Sequence, residues 1–386
     1  MINFSLNLKT RIHFGKGAIL NLKSELSPYK RILLVTGSGS VKKFGIYDTV
    51  MAELSATEKE VYELSGIKPN PSIDSVYDGI KICKENNIDF ILALGGGSVI
   101  DAAKAIAAGV VYKGDVWELY LDNSKFEGAL KTGCILTIAA TGSESNRNSI
   151  ITNEKTKEKL GLRMEELRPE FAVLDPTYTY TLSSVQTAAS VADIMSHVFE
   201  QYFSPTKEAC LTDGISESVL KTCIKFAPVL LTDPKNYEAR SEIMWASTIA
   251  LNGLLTVGKL GDWASHMIEH ELSAYYDLNH GIGLAILFPN WMKRVADDSR
   301  LWKFRDYAVN VWDFPASLSD RELADASIKK TREFFNSLNL PSTLREVNID
   351  EKYFELMAEN IEKRKTLGTF KVLNKEDIIE IYKLSL

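Results

Sequence analysis

The sequence of 386 residues is poor in cysteine, and its four cysteines form no recognisable motif. They are widely spaced and include no Cys-x-x-Cys pair: Cys83, Cys134, Cys210 and Cys223. This spacing argues against a disulfide scaffold and against a cysteine-based metal site. We interpret all four as reduced thiols in the core.

An excess of positive charge and long apolar runs are also missing. There are 45 Lys and Arg residues against 51 Asp and Glu, so the net charge is −6 and nucleic acid is not an expected partner. Every apolar run falls well short of the ~20 residues that span a bilayer, so no membrane partner is expected. The first residues lack the basic start and apolar stretch of a secretory signal, which predicts a cytoplasmic protein.

Glycine is frequent in the first part of the chain and scarce in the second, with 16 of 23 glycines in residues 1–180. In this first part, helical patterns separate four predicted strands at 31–36, 60–64, 90–94 and 134–138. Such alternation predicts an α/β domain with a parallel sheet and helices on both faces. A polar stretch between Ser149 and Val173 predicts a hairpin.

Residues 181–386 have the apolar spacing of long helices, which predicts a second, all-helical domain. Ser183 or Ser184 is expected to cap a helix that continues through His197.

Four of the five histidines lie in this second domain: His197, His266, His270 and His280. Asp193 precedes His197 by four residues and His266 precedes His270 by four, so each pair projects from one face of a helix. Imidazole and carboxylate groups are ligands of Zn²⁺ and Fe²⁺. The cluster therefore predicts a divalent-metal site that can polarise a carbonyl. Glu269 and Glu271 share a face with His266 less well and are interpreted as structural.

A glycine-rich loop follows the predicted strand at 90–94 and precedes an alanine-rich helix; it comprises Gly95, Gly96, Gly97 and Ser98. Backbone amides and a helix N-terminus at this position predict a phosphate site, with a dinucleotide pyrophosphate as the natural occupant. The spacing differs from the common dinucleotide fingerprint and from the ATP-binding P-loop.

The segment from Gly261 to Gly283, which contains His266, His270 and His280, resembles the signature of the iron-containing alcohol dehydrogenase family. The run from Gly95 to Asp101 resembles the cofactor loop of the same family, and the likeness extends over nearly the whole chain. It implies an α/β dinucleotide-binding domain, residues 1–180, and an all-helical metal-binding domain, residues 181–386, in a dehydroquinate synthase-like fold.

The resemblance also implies roles for single residues. The matching metal ligands are Asp193, His197, His266 and His280. His270 matches a histidine beside the nicotinamide for which proton transfer is proposed. The matching cofactor-binding positions are Gly95, Gly96, Gly97, Ser98, Asp101, Thr137 and Thr141, and Asn146 is expected near the nicotinamide or the substrate.

The loop after the first predicted strand lies where the adenosine ribose is expected, and it comprises Gly37, Ser38, Gly39 and Ser40. NAD-preferring relatives carry an Asp here, which binds a ribose 2′-hydroxyl and repels a 2′-phosphate. Small residues followed by Lys42 and Lys43 leave room for the phosphate, so the sequence predicts NADP(H) as cofactor.

The expected activity is reversible hydride transfer between NADP(H) and a primary alcohol or aliphatic aldehyde of the butanol/butanal type, aided by one Fe²⁺ or Zn²⁺ ion. A homodimer formed through an N-terminal edge strand is expected. Two alternatives stay open. One is a glycerol-dehydrogenase-like or dehydroquinate-synthase-like enzyme on the same fold, and the other is a non-catalytic metal- or nucleotide-binding module.

Overall fold

A computed structural model describes residues 1–364 and 366–386 and divides the chain into two compact units. One unit comprises Asn7–Leu182, and the other comprises Ser183–Leu386 together with Met1–Leu6. In the second unit the Ile2 N–H of the first segment donates to the Gly258 carbonyl.

The Asn7–Leu182 unit, called the α/β unit below, contains the strands β1 (Arg11–Phe14), β2 (Arg31–Gly37), β3 (Glu60–Ile67), β4 (Phe90–Gly95), β5 (Lys131–Leu136), β6 (Asn148–Asn153), β7 (Glu158–Arg163) and β8 (Phe171–Leu174). Its helices are α1 (Leu22–Glu25), α2 (Ser40–Lys43), α3 (Ile46–Ser55), α4 (Ile73–Asn86), α5 (Gly97–Val111) and α6 (Trp117–Leu121).

Six of these strands form one parallel sheet in the order β1-β8-β5-β4-β2-β3. The central strand β4 is buried along its whole length, as expected for a parallel strand covered on both faces. The predicted fold class is therefore confirmed. The predicted hairpin is also confirmed, because β6 and β7 pair antiparallel.

The other unit, called the helical unit, contains α7 (Ser184–Tyr202), α8 (Cys210–Thr232), α9 (Tyr237–Leu251), α10 (Ala264–Tyr276), α11 (His280–Val295), α12 (Leu301–Trp312), α13 (Asp320–Ser337), α14 (Phe354–Arg364) and α15 (Lys375–Leu384). Helix α7 begins at the predicted cap: Ser183 Oγ accepts from the Gln186 N–H, and the Gln186 side chain accepts in return from the Ser183 N–H. Packed aromatic side chains, among them Phe203, Trp291 and Tyr307, fill the core between these helices.

Two further sequence predictions can be compared with the structure. Cys83, Cys134 and Cys223 are buried thiols as expected, but the prediction is wrong for Cys210, which is exposed at the first residue of α8. Among the described residues no helix has both the length and the apolar content to cross a membrane.

Candidate metal centre and nucleotide site

Helix α7 presents three ionisable groups along one buried face. Asp193, His197 and Glu200 are separated by four and three residues, so their side chains stack on the same side of the helix. All three are buried. His197 Nδ1 lies 3.7 Å from Asp193 Oδ1.

Helix α11 packs closely against this face of α7 because two residues of its first turn are glycines, Gly281 and Gly283. A Cβ at Gly281 would stand 2.1 Å from the Ala189 carbonyl oxygen of α7, and a Cβ at Gly283 would stand 2.7 Å from the Glu269 side chain of α10. A larger residue at Gly281 would require a helix to move, because the contact is with backbone, and one at Gly283 would displace the Glu269 side chain. The close approach brings His280, the first residue of α11, to Asp193, with 3.7 Å between Nε2 and Oδ1.

The side chains of three helices thus converge on one point. Donor atoms of Asp193, His266 and His280 all lie within 4.8 Å of one another, which is the spacing of groups that share a metal ion. His197 stands beside this group, and its ring centroid is 4.7 Å from that of His266. The structure therefore brings together the four residues predicted as ligands, with donor atoms of three of them within 4.8 Å of one another.

Two buried glutamates bond the Nδ1 atoms of His266 and His280. Glu200 Oε1 lies 2.9 Å from His266 Nδ1 and accepts from the His266 backbone N–H at the same distance. Glu269 Oε2 bonds His280 Nδ1, and its other oxygen accepts from Ser273 Oγ. An ionised carboxylate requires a proton on Nδ1, so it leaves the Nε2 lone pair of each ring for a metal.

The surroundings of the cluster fit a cation. Burial and the neighbouring His266 and His280 lower the pKa of His197 well below its usual range, so its imidazole stays neutral, as a ligand must be. Within the described residues, His197 Nδ1 and His266 Nε2 are buried without a hydrogen-bond partner. Buried polar atoms of this kind need a partner, and a divalent ion bound here would supply one.

Asp262 fixes the start of α10. Its carboxylate accepts hydrogen bonds from the backbone N–H groups of Ala264, Thr369 and Phe370 at 3.1, 2.8 and 2.7 Å. Burial, and secondarily the nearby Glu200, raise the pKa of this carboxyl to about 7. The sequence does not predict roles for Asp262 or Glu200, because nothing in their local pattern separates them from surface acids.

His270 lies on α10 one turn after His266, with its ring centroid 5.5 Å from that of His280. Its donor atoms also group with those of Glu269 and His280. His270 is therefore adjacent to the group of Asp193, His266 and His280 and shares His280 with it.

In the α/β unit, the predicted cofactor segments meet at one edge of the sheet. Strand β4 lies between β5 and β2, so the residues that follow these three strands are neighbours. The Thr137 N–H donates to the Gly95 carbonyl at 3.0 Å. Ligands of parallel sheets bind at this carboxyl edge.

Close approach explains the glycines of this edge. A Cβ at Gly97 would lie 2.3 Å from Thr141 Oγ1, and one at Gly96 would lie 3.1 Å from the Ile138 side chain. Helix α5 begins at Gly97 with no acidic residue and no side-chain cap in its first turn. Its N-terminus therefore suits an anion such as a pyrophosphate.

Two of the predicted cofactor residues have internal partners. Asp101 Oδ1 accepts from Ser143 Oγ at 2.5 Å and its Oδ2 accepts from the Ile150 N–H at 3.1 Å. Asn146 Oδ1 accepts from Lys104 Nζ at 3.1 Å. Both side chains are buried, and their hydrogen bonds stabilise this edge of the sheet.

The loop after β2 has the small residues that the sequence analysis singled out, and Gly39 takes a left-handed conformation at φ 118°. Of the two lysines that follow, Lys42 lies 3.5 Å from the Glu63 carboxylate and over the ring of Tyr47. Lys43 lies over the ring of Phe44.

The two units match one family along the chain. Residues 9–176 match the model for iron-containing alcohol dehydrogenases, and residues 187–386 match the C-terminal model of the same family. The chain is 49% identical over its full length, and over that of the relative, to NADH-dependent butanol dehydrogenase A of Clostridium acetobutylicum. It is 40% identical to the NADPH-dependent aldehyde reductase YqhD of Escherichia coli, over 94% of this chain and 93% of the relative.

Solved structures agree. NADH-dependent butanol dehydrogenase A of Thermotoga maritima superposes with a TM-score of 0.96 at 38% identity, covering 100% of this chain and 99% of that one. The chain belongs to the iron-containing alcohol dehydrogenase family.

Proposed function

We propose that this chain catalyses reversible hydride transfer between NADP(H) and a primary alcohol or aliphatic aldehyde of the butanol/butanal type. The observation that carries the proposal is the convergence of Asp193, His266 and His280, with His197 beside them, in a chain whose relatives are named butanol dehydrogenases and an aldehyde reductase. Family matches over both units favour it over the glycerol-dehydrogenase-like, dehydroquinate-synthase-like and non-catalytic alternatives.

In this proposal Asp193, His197, His266 and His280 hold one divalent ion, Fe²⁺ or Zn²⁺. When bound, the ion supplies a Lewis acid for the substrate oxygen, and NADP(H) supplies or accepts the hydride. Glu200 and Glu269 keep two of the ligand imidazoles in the tautomer that presents Nε2. Four ligands of this kind suit either metal, so the donor set alone does not select one.

His270 is proposed to move the proton that accompanies hydride transfer. Its imidazole lies next to His280 and shares a second donor group with Glu269 and His280, outside the group of Asp193, His266 and His280. An imidazole titrates near neutral pH and so exchanges a proton readily in either direction of the reaction.

NADP(H) is proposed as the preferred nucleotide because the loop of Gly37, Ser38, Gly39 and Ser40 offers no carboxylate to repel a 2′-phosphate. Relatives of both preferences exist, since the butanol dehydrogenases are named for NADH and the aldehyde reductase for NADPH. The experiment is a comparison of kcat/KM for NADPH and NADH with butanal. A higher value for NADH would refute the preference while leaving the reaction class intact.

A homodimer is proposed from the first residues of the chain. Ile2, Phe4, Leu6 and Leu8 alternate with polar residues and are all exposed, the pattern of an extended segment that lacks a covering surface. Strand β1 is also an outermost strand of the sheet, whose free edge invites pairing with a second copy. Light scattering on the wild type and on a Phe4→Asp/Leu6→Asp variant tests this proposal. We expect the wild type to be a dimer and the variant to be a monomer. A monomeric wild type would contradict the proposal.

A further inference from the structure

A fully buried lysine joins the two segments proposed to hold the nucleotide. Lys104 lies two turns into α5, and its ammonium is surrounded by five oxygens of the segment 143–148. Nζ lies 2.7 and 2.9 Å from the Ser143 carbonyl and hydroxyl oxygens, and 2.8 Å from the Asn148 carbonyl oxygen. It lies 3.1 Å from both the carbonyl and the amide oxygen of Asn146.

This arrangement organises a segment that has little regular structure of its own. Residues 137–147 connect β5 to β6 and contain no helix or strand. Most of the oxygens of this segment near Lys104 are backbone carbonyl or side-chain amide oxygens. They all accept hydrogen bonds, so they cannot form hydrogen bonds with one another. A single cation with three N–H groups orients them together.

The neighbouring carboxylate makes the charge tolerable. Asp101, one turn earlier on α5, bonds Ser143 Oγ at 2.5 Å and favours the charged form of Lys104. Asp101, Ser143 and Lys104 therefore form one buried network. A buried charge that is paired and hydrogen-bonded in this way costs less folding free energy than an unpaired one.

The segment that carries this network also approaches the glycine loop. Thr141 Oγ1 is so near Gly97 that any side chain there would collide with it. A shift of the 141–148 segment by a few tenths of an ångström would therefore change the space between that segment and the first turn of α5.

We propose that Lys104 is a positioning residue for the nicotinamide nucleotide, whose ammonium fixes the 141–148 segment against the glycine loop. This inference rests on the proposed binding of NADP(H) at this edge of the sheet. Lys104 itself does not touch the nucleotide in this account; it acts through the residues it holds.

The first test compares Lys104→Met with the wild type at a temperature far below the unfolding transition. We expect the Kd for NADPH, measured by its fluorescence in the absence of aldehyde, to rise about tenfold or more. Amide hydrogen exchange in residues 141–148 is expected to accelerate, while the metal content of the protein stays that of the wild type. A wild-type Kd together with wild-type exchange would overturn the inference.

The matched control is Lys303→Met. Lys303 is equally buried, lies on α12 of the helical unit, and has its Nζ 2.6 Å from Asp213. Its loss is expected to lower the thermal midpoint but to leave the NADPH Kd unchanged. An equal rise in Kd for both variants would show that the effect is general destabilisation and would overturn the positioning role.

Chemical rescue tests the charge itself. Lys104→Ala leaves space for propylammonium, which matches the deleted part of the side chain, whereas the Met side chain leaves none. Propylammonium is expected to restore most of the NADPH affinity of Lys104→Ala and none of that of Lys104→Met; failure to restore it contradicts the inference. Should neither variant fold, Ser143→Ala removes one acceptor and is expected to give a smaller rise in Kd, and an unchanged Kd counts against the inference.

Failure of the proposed function has a different signature. If the wild type binds neither NADPH nor NADH, the nucleotide proposal fails, and hydrogen exchange in 141–148 still reports on Lys104. Unchanged exchange in Lys104→Met would then overturn the positioning role as well.

Discussion

Glu200 Oε1 accepts hydrogen bonds from both the backbone N–H and the Nδ1 atom of His266, each at 2.9 Å. One carboxylate on α7 therefore sets both the main-chain position and the ring tautomer of a residue on α10. This double contact explains why an acid that does not belong to the donor cluster is expected to matter for metal binding.

The first prediction is that Glu200→Gln weakens metal binding. The amide keeps an acceptor but removes the charge that makes the His266 imidazole more basic. We expect the Kd for Zn²⁺, measured by competition with a chromophoric chelator, to rise about ten- to a hundredfold. Glu271→Gln is the control, because Glu271 is a buried carboxylate on α10, the helix of His266, and accepts from Asn360 of α14. Equal losses in both variants would remove the special role of Glu200.

A second prediction separates the ligands from the proton-transfer residue. His280→Ala should lose the metal and turnover together, because Nε2 of His280 is one of the converging donors. His270→Ala should retain the metal and lower kcat by about a hundredfold or more, as expected for loss of a general acid or base. Metal analysis beside steady-state kinetics checks both, and full activity in metal-free His280→Ala would contradict the assignment.

The third prediction concerns the approach of α11 to α7. Gly281→Ala places a methyl group 2.1 Å from the Ala189 carbonyl oxygen, so α11 must move and His280 must move with it. Metal content and activity should fall well before the fold is lost. Gly214→Ala, on α8 with no atom within 4 Å of the added carbon, is expected to stabilise the protein by about 0.5–1 kcal/mol. A Gly281→Ala protein with a normal metal content would show that α11 adapts without cost.

The fourth prediction addresses nucleotide choice. Ser38→Asp adds a carboxylate to the loop after β2, where it repels a 2′-phosphate and can accept from a ribose 2′-hydroxyl. The kcat/KM ratio of NADPH to NADH is expected to fall by about tenfold or more, mainly through KM for NADPH. An unchanged ratio would place the adenosine ribose away from this loop.

The fifth prediction is a pH dependence of stability. Burial lowers the pKa of Lys104 from its usual 10.5 to about 8. The nearby Asp101 and Glu144 carboxylates oppose this shift, whereas the positive charge of Arg168 adds to it. Between these two values the unfolded chain binds a proton that the folded chain has released. The contribution of Lys104 to the free energy of unfolding therefore rises with pH across this window.

Urea unfolding at about pH 7.5 and about pH 10 checks the sign of this pH effect. As the pH rises, the urea midpoint of the wild type should increase relative to that of Lys104→Met. A difference that shrinks instead would contradict the lowered pKa.

Much of the fold follows from local sequence patterns, and so does the clustering of histidines in the helical unit. The apolar runs of β2 to β5 and the Ser183 cap of α7 are signals contained within a few residues, and so is the spacing of Asp193 and His197. The β1–β8 pair is harder to predict, because each strand has only four residues and the two are about 160 residues apart in the chain.

The partners of the site residues depend on tertiary packing and were not predictable in the same way. Glu200 and Asp262 acquire their roles only when α7 and α10 meet. Glu269 was interpreted as structural from its spacing to His266, and it bonds His280, a residue of the next helix. Lys104 looks like an ordinary helix lysine until the 141–148 segment folds around it.

The most direct test of the central claim is butanal-dependent oxidation of NADPH, followed by its near-ultraviolet absorbance. The protein is first stripped with a chelator and then refilled separately with Fe²⁺ or Zn²⁺. We predict no turnover in the stripped protein and restored turnover with at least one of the two ions. Equal turnover before and after stripping, or none with any short aldehyde after refilling, would contradict the account.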